Sequence, residues 1–102
     1  MMSPKRAYVR VHERKRLVKL ISMFKCRGRW FFTYKTDDGK WGTSDYESGH
    51  SVCANGENRE MVIDFSKTVI ENFSPHSMMV LQRANKINNW GEPEGEEVWT
   101  TM

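Results

Sequence analysis

His50 and Cys53 have the close spacing of a metal-ligand pair. Cys26 and His76 would complete a set of two cysteines and two histidines, a combination that zinc takes in structural sites. Such sites normally contain two close pairs of ligands, and this chain offers one. We therefore predict no metal site, and we interpret His50 as a loop residue beside a buried cysteine.

Nucleophilic catalysis by a cysteine paired with His12, His50 or His76 is the other chemistry that these residue types allow. No motif places a cysteine on a strained turn or at a helix N-terminus, where nucleophiles are activated. Asp37 and Asp38 belong to a turn, where aspartate is expected for backbone reasons. The chain also lacks a glycine-rich phosphate loop. We predict no catalytic residue, no cofactor and no enzymatic activity.

Basic and acidic residues are divided unevenly along the chain. Residues 1–29 contain ten lysines and arginines and one acid, whereas residues 30–102 contain six bases and twelve acids, which gives the net charge of +3. Blocks of like charge often mark interaction surfaces. Three interpretations stay open: a solvated face, a surface for an acidic protein, and a footprint for nucleic acid. The basic candidates for partner binding are Arg10, Arg14, Lys15, Arg16, Lys19, Arg27 and Arg29.

The aromatic segment 29–35 has the composition of a β-strand. With the residues before it, it partly matches the RNA-recognition strand pattern of a basic residue, a glycine and spaced aromatics. The matching residues are Arg27, Gly28, Phe31 and Tyr34. That fold needs two strands and a helix first, and 26 residues leave too little room. We instead expect alternate members to lie in the core and the others to cover a helix. The core set is Trp30, Phe32 and Tyr34.

Turn signals and apolar periodicity predict an α+β fold. Turns at 27–28 and 37–39 predict a small β-meander over residues 18–44. Residues 45–58 read as a loop with a short strand at 51–53, and residues 7–24 fit either a helix or strands. Helical periodicity predicts an antiparallel helix pair, over 59–73 and 75–90, packed on the meander.

Capping residues and apolar stripes define the predicted helices. Asn58 and Ser74 are the expected N-caps, and Gly91 is the expected C-terminal stop. The apolar stripe of the first helix is Met61, Val62, Phe65, Val69, Ile70 and Phe73. The stripe of the second helix is Met79, Val80, Ala84, Ile87 and Trp90.

The chain divides into three parts by composition. Residues 1–16 are predicted as a basic N-terminal arm, 17–91 as a single compact domain and 92–102 as an acidic tail that leaves the domain. No apolar run of membrane-spanning or signal-peptide length occurs. Two cysteines are few for a secreted chain of this size. We therefore expect a cytoplasmic protein.

Binding is the function that these observations leave. Tryptophan and arginine dominate the energetic centres of protein interfaces, and we select Trp41, Trp90 and Trp99 as anchors, with Met78 as a further exposed contact. We predict a non-enzymatic protein that binds and modulates or inhibits a larger protein. A nucleic-acid-processing enzyme is the partner that suits the basic segment. The alternative is a small nucleic-acid-binding protein that contacts phosphates through the seven basic candidates.

The general style of the chain resembles small phage or mobile-element proteins that bind and redirect a host enzyme. This resemblance rests on short length, the charge division and the lack of catalytic motifs. It implies a host protein as partner.

Overall fold

Two helices and antiparallel strands make up the part of the chain that the structure, a computed structural model, describes: residues 6–11, 14–88 and 98–100. In chain order the elements are β1 (Arg6–Val11), β2 (Arg14–Lys19), β3 (Ser22–Cys26), β4 (Arg29–Lys35), β5 (Trp41–Asp45), β6 (Ser51–Gly56), α1 (Arg59–Glu71), α2 (Pro75–Arg83) and β7 (Val98–Thr100). β1 and β2 form a two-stranded ribbon, and the other strands form a sheet in the order β6-β5-β4-β3-β7. The predicted α+β fold and its meander are confirmed.

The ribbon packs on one face of the five-stranded sheet. Side chains alternate between the two faces of a strand, and on β4 the predicted core set of Trp30, Phe32 and Tyr34 packs against the ribbon. The ribbon contributes Ala7 and Val9, of which only 1% and 2% are exposed. Full burial of a side chain as large as Phe32 stabilises the fold by about 1.5–3 kcal/mol.

Both helices contribute to the core on the opposite face of the sheet. Phe31 on β4 and Phe24 on β3 stack with their ring centroids 5.7 Å apart, and Ile70 of α1 and Leu81 of α2 belong to the same buried cluster. The molecule therefore has three layers, which are ribbon, sheet and helices. The predicted division of the aromatic strand between core and helix contacts is confirmed.

Local sequence signals determine the turns and helix starts. Arg27 and Gly28 both have positive φ, 52° and 78°, as the tight turn of a two-residue hairpin requires. The Asn58 side chain accepts a hydrogen bond of 2.8 Å from the Met61 amide. Ser74 caps α2 in the same way, directly before Pro75. The predicted turn at 27–28 and both N-caps are confirmed.

The N-terminal residues form strands that belong to the folded unit. Alternation of buried Ala7 and Val9 with more exposed neighbours shows β structure on β1, and β2 crosses the predicted boundary between residues 16 and 17. Over its described residues, the segment predicted as a basic arm therefore forms β1 and the first half of β2. Burial of its inner face explains this, because a free arm would leave that face in water.

The second helix ends earlier than predicted, at Arg83 instead of residue 90. The chain then returns to the loop after β5, where the Ile87 amide donates to the Glu47 carbonyl at 2.8 Å. This long-range contact competes with continued helix. The expected stop at Gly91 and the last residue of the stripe, Trp90, lie outside the described residues.

The buried face of α1 is rotated from the predicted stripe. Val62, Ser66 and Ile70 are buried, whereas Met61 and Phe65 are 56% and 58% exposed. The cause is a polar contact with the sheet, because the buried hydroxyls of Ser66 and Thr43 share a hydrogen bond of 2.6 Å. Hydropathy alone assigns a serine to the solvent side.

On α2 the predicted stripe is also displaced. Met78 and Leu81 are buried, at 7% exposure each, and Val80 is 45% exposed. The prediction of an exposed Met78 was wrong. Leu81 takes the core position because it packs on the stacked rings of Phe24 and Phe31.

Strands also lie where a loop and a tail were predicted. β6 continues to Gly56 and pairs with β5 through an irregular register. β7 pairs with β3 and places Trp99 opposite Met23. β7 therefore forms an edge of the five-stranded sheet. It covers β3, whose Met23 and Phe24 are fully buried.

Candidate functional site

The ribbon gathers cations around an exposed apolar pair. Directly opposite residues on paired strands share a face. Tyr8 lies opposite Leu17, and these side chains are 37% and 47% exposed. A pair of like charges flanks them on each side, Arg6 with Lys19 and Arg10 with Lys15. We call this surface the outer face; it consists of Arg6, Tyr8, Arg10, Lys15, Leu17 and Lys19.

The cations of the outer face have no carboxylate partner among the described residues. The Arg10 guanidinium donates to the neutral carbonyls of Ser48 and Asn85 at 2.7 and 3.0 Å. The Lys15 ammonium lies 5.1 Å from the centre of the Tyr8 ring, a cation–π contact that orients it without neutralising it. Like charges directly opposite each other destabilise paired strands. The outer face therefore carries an electrostatic cost that an acidic partner would remove.

Long-range hydrogen bonds fix the ribbon in place. Asn88 accepts from the Tyr8 amide at 2.8 Å and donates to the carbonyls of Tyr8 and Tyr46 at 2.9 and 2.7 Å. The Arg10 amide donates to the Gly49 carbonyl at 2.9 Å. These contacts close the outer edge of β1 and give the outer face a rigid support.

Arg27, one of the predicted binding residues, has a structural role. Its guanidinium donates to the carbonyls of Ile70 and Phe73 at 3.0 and 2.9 Å. These carbonyls lie at the C-terminal end of α1, where unpaired acceptors and the helix dipole favour a cation. The side chain thus fastens the turn between β3 and β4 to the helix.

Arg29 forms an internal ion pair with Asp45. Its Nε and Nη2 donate to the two carboxylate oxygens at 2.8 and 2.7 Å, and the two side chains are 11% and 0% exposed. Asp45 also accepts from the amide and hydroxyl of Ser48 at 3.0 and 2.6 Å. The hydrogen bond to Asp45 raises the pKa of the Arg29 guanidinium. This arginine stabilises the fold and is not presented to a partner.

The other basic candidates lie on the ribbon. Arg16 forms an exposed ion pair with Asp37, and its hydrogen bond lowers the pKa of the Asp37 carboxyl. Arg14 is exposed at the start of β2. The structure thus brings Arg10, Lys15 and Lys19 together on the outer face and places Arg14 and Arg16 on the opposite side of the same strands.

Trp41, the predicted anchor whose side chain the structure describes, does not belong to the outer face. Trp41 is half-buried, and the Lys35 ammonium lies 4.6 Å from the centre of its ring. Trp41 borders a cleft of about 380 Å³ with Asn58, Arg59 and Glu60 at the start of α1. Trp99 is a β7 residue whose backbone pairs with Met23, and Trp90 lies outside the described residues.

The thiols and histidines do not assemble into a reactive centre within the described residues. Cys26 and Cys53 are free, and burial raises the pKa of both thiols. A raised pKa opposes the thiolate that a nucleophile or a metal ligand requires. In residues 6–11, 14–88 and 98–100, no three histidine, cysteine or acidic side chains could hold a metal ion.

Sequence reasoning missed Arg6, Tyr8 and Leu17 as members of the site. The ambiguity between helix and strand over residues 7–24 concealed the pairing of Tyr8 with Leu17. Neither helix in the described part of the chain is long and apolar enough to cross a membrane. Comparisons of the chain with protein-family models, curated proteins and solved structures find no match.

Proposed function

We propose that this protein is a non-enzymatic binding module whose outer face docks on an acidic surface of a larger protein and modulates that protein. The observation that carries this proposal is the exposed pair of Tyr8 and Leu17 between two pairs of like charges. Like charges opposite each other and exposed apolar side chains do not stabilise the fold, and such features are expected at functional sites. An acidic partner would neutralise the cations and cover the apolar pair.

The side chains that remain available favour a protein partner over nucleic acid. Of the basic residues expected to contact phosphates, Arg10, Arg27 and Arg29 direct their guanidinium groups to acceptors inside the molecule. The Leu17 side chain occupies the centre of the outer face and offers no hydrogen bond to a phosphate or a base edge. Apolar and aromatic centres with arginine nearby are typical of protein interfaces. Free thiols support the cytoplasm as the compartment.

Nucleic acid is the second candidate, and the shape of the ribbon favours it. A two-stranded β-ribbon fits the major groove of double-stranded DNA, and four cations lie on the outer face. Binding through phosphates would weaken steeply with salt. Binding to an acidic protein surface would also weaken with salt, but it would require the apolar side chains of Tyr8 and Leu17, so dependence on these two side chains separates the two candidates.

A pull-down from bacterial lysate with nuclease treatment tests the proposal. The ribbon variant combines Tyr8→Ala with Leu17→Ala, and the matched control combines Met61→Ala with Phe65→Ala, which removes exposed apolar side chains from α1. We expect the wild type and the control to retain one protein at near-stoichiometric yield and the ribbon variant to lose it. Capture that disappears with nuclease would favour the second candidate, and capture that is equal for all three proteins would contradict the proposal.

A further inference from the structure

The outer edge of β2 presents backbone hydrogen-bonding groups. The amide and carbonyl of Tyr8 are turned away from β2, because both bond to Asn88. In an antiparallel pair, the residue opposite such a position is turned outward as well. The N–H and C=O of Leu17 therefore point away from β1. By the same alternation, so do those of Lys15 and Lys19.

This edge is open in the part of the chain that the structure describes. The ribbon has two strands, and no third strand pairs with β2. By contrast, Asn88 and Gly49 close the edge of β1. The three outward residues of β2 span about 13 Å at the usual rise of a strand, which is long enough for a short extended segment to pair.

Charge determines which segment the edge accepts. Lysine on an edge strand discourages pairing between copies of the same chain. An antiparallel second copy centred on Leu17 would place Lys15 and Lys19 opposite each other across the new ladder, and such like-charge pairs are unfavourable. An acidic segment would convert the same positions into pairs of opposite charge.

We infer that β2 takes up an extended acidic segment of the partner protein as a third, antiparallel strand. This inference rests on the proposed function and specifies how the partner is held. Backbone hydrogen bonds to Leu17 would provide affinity, as in other cases of strand addition. Acidic residues opposite Lys15, Arg16 and Lys19 and an apolar residue opposite Leu17 would provide specificity.

A capped synthetic peptide with the core Glu-Thr-Ile-Glu-Glu is the probe, with the isoleucine aligned opposite Leu17. In this register the isoleucine N–H faces β2 and the threonine N–H faces solvent. We expect N-methylation of the isoleucine to weaken binding at least tenfold, measured by fluorescence anisotropy, and N-methylation of the threonine to change it less than threefold. Equal effects of the two methyl groups would overturn strand addition, because side-chain contacts alone do not distinguish these amides.

Two variants of Leu17 test the same contact from the protein. Leu17→Pro removes the outward N–H without removing a hydrogen bond of the β1–β2 ladder, and proline is tolerated on edge strands in this orientation. Leu17→Ala shortens the side chain and keeps the N–H. We expect the proline variant to bind the peptide at least tenfold more weakly than the alanine variant, with both proteins folded by thermal melting. Equal affinities would contradict the inference.

The outcomes separate this inference from the proposed function. If the captured partner still depends on Tyr8 and Leu17 but the peptide does not bind, strand addition is wrong and the docking face stands. If the peptide does not bind and the protein forms a dimer that Leu17→Pro abolishes, a second copy occupies the edge, and the inference is overturned.

Discussion

Removing the buried carboxylate of Asp45 should cost a large part of the stability of this protein. Asp45→Asn keeps the shape of the side chain but leaves the Arg29 guanidinium, 11% exposed, with only the partly exposed carboxylate of Glu47, 3.4 Å away, as a counter-charge. It also turns an acceptor of four hydrogen bonds into a group that cannot accept all of them. Breaking a buried ion pair by removing one partner costs about 3–5 kcal/mol. Domains of this size have a total stability of about 5–15 kcal/mol.

Urea unfolding followed by tryptophan fluorescence measures this loss. Asp64→Asn is the control, because Asp64 is an exposed aspartate of α1, and surface substitutions change stability by about 0.5 kcal/mol or less. Adding Arg29→Met to Asp45→Asn should recover part of the loss, because no unpaired charge is then buried. A loss below about 1 kcal/mol for Asp45→Asn would show that Glu47 and solvent replace the Asp45 carboxylate, and that this ion pair does not stabilise the fold.

Three further substitutions or conditions have defined outcomes. Asn88→Ala leaves the backbone of Tyr8 unpaired and should lower the free energy of unfolding by about 1–3 kcal/mol; an unchanged urea midpoint would show that water replaces the side chain. Gly56→Ala places a methyl group against the stiff Val62 side chain of α1 and should lower the free energy of unfolding by about 1–3 kcal/mol through overpacking. Gly28→Thr, in open space at positive φ, should lower it through backbone strain alone. An unchanged stability of Gly56→Ala would mean that α1 shifts freely. Burial raises the pKa of the Cys26 thiol in the folded state. The unfolded chain therefore loses this proton at lower pH, and the free energy of unfolding should fall as the pH rises from about 9 toward the folded-state pKa. A free energy of unfolding that stays constant from pH 8 to 10 would contradict this.

Features that depend on neighbouring residues could be predicted from the sequence. The Arg27-Gly28 turn, the Asn58 cap and the Ser74-Pro75 helix start each involve residues within a few positions of one another. Their hydrogen bonds are local, so residue type and spacing determine them. The division of the β4 side chains between two cores was also predictable, because successive side chains of a strand point to opposite faces of the sheet.

Features that depend on distant contacts could not be predicted. The orientation of α1 follows from the pairing of Ser66 with Thr43, which lies on another element. The end of α2 depends on a return of the chain that brings Asn88 to Tyr8, 80 positions away. No periodicity within a helix contains this information.

The candidate site was predicted in part. The basic block was evident, but charge counts do not show which cations have internal partners. Arg27 and Arg29 looked like free charges because their acceptors, at Ile70 and Asp45, are remote in sequence. The pairing of Tyr8 with Leu17 required a decision between helix and strand that the N-terminal residues leave open.

Reversal of one charge on the outer face is the most direct test of whether this face docks on an acidic surface of the partner. Lys19→Glu places a carboxylate opposite Arg6 and should leave the ribbon equally stable or more stable by about 0.2–1 kcal/mol. Arg83→Glu changes the net charge by the same amount at an exposed site on α2. Melting temperature and capture of the partner from nuclease-treated lysate are measured for both variants. We expect Lys19→Glu to fold at least as stably as the wild type and to lose the partner, whereas Arg83→Glu keeps it. Full capture by a well-folded Lys19→Glu variant would show that the outer face does not bind the partner.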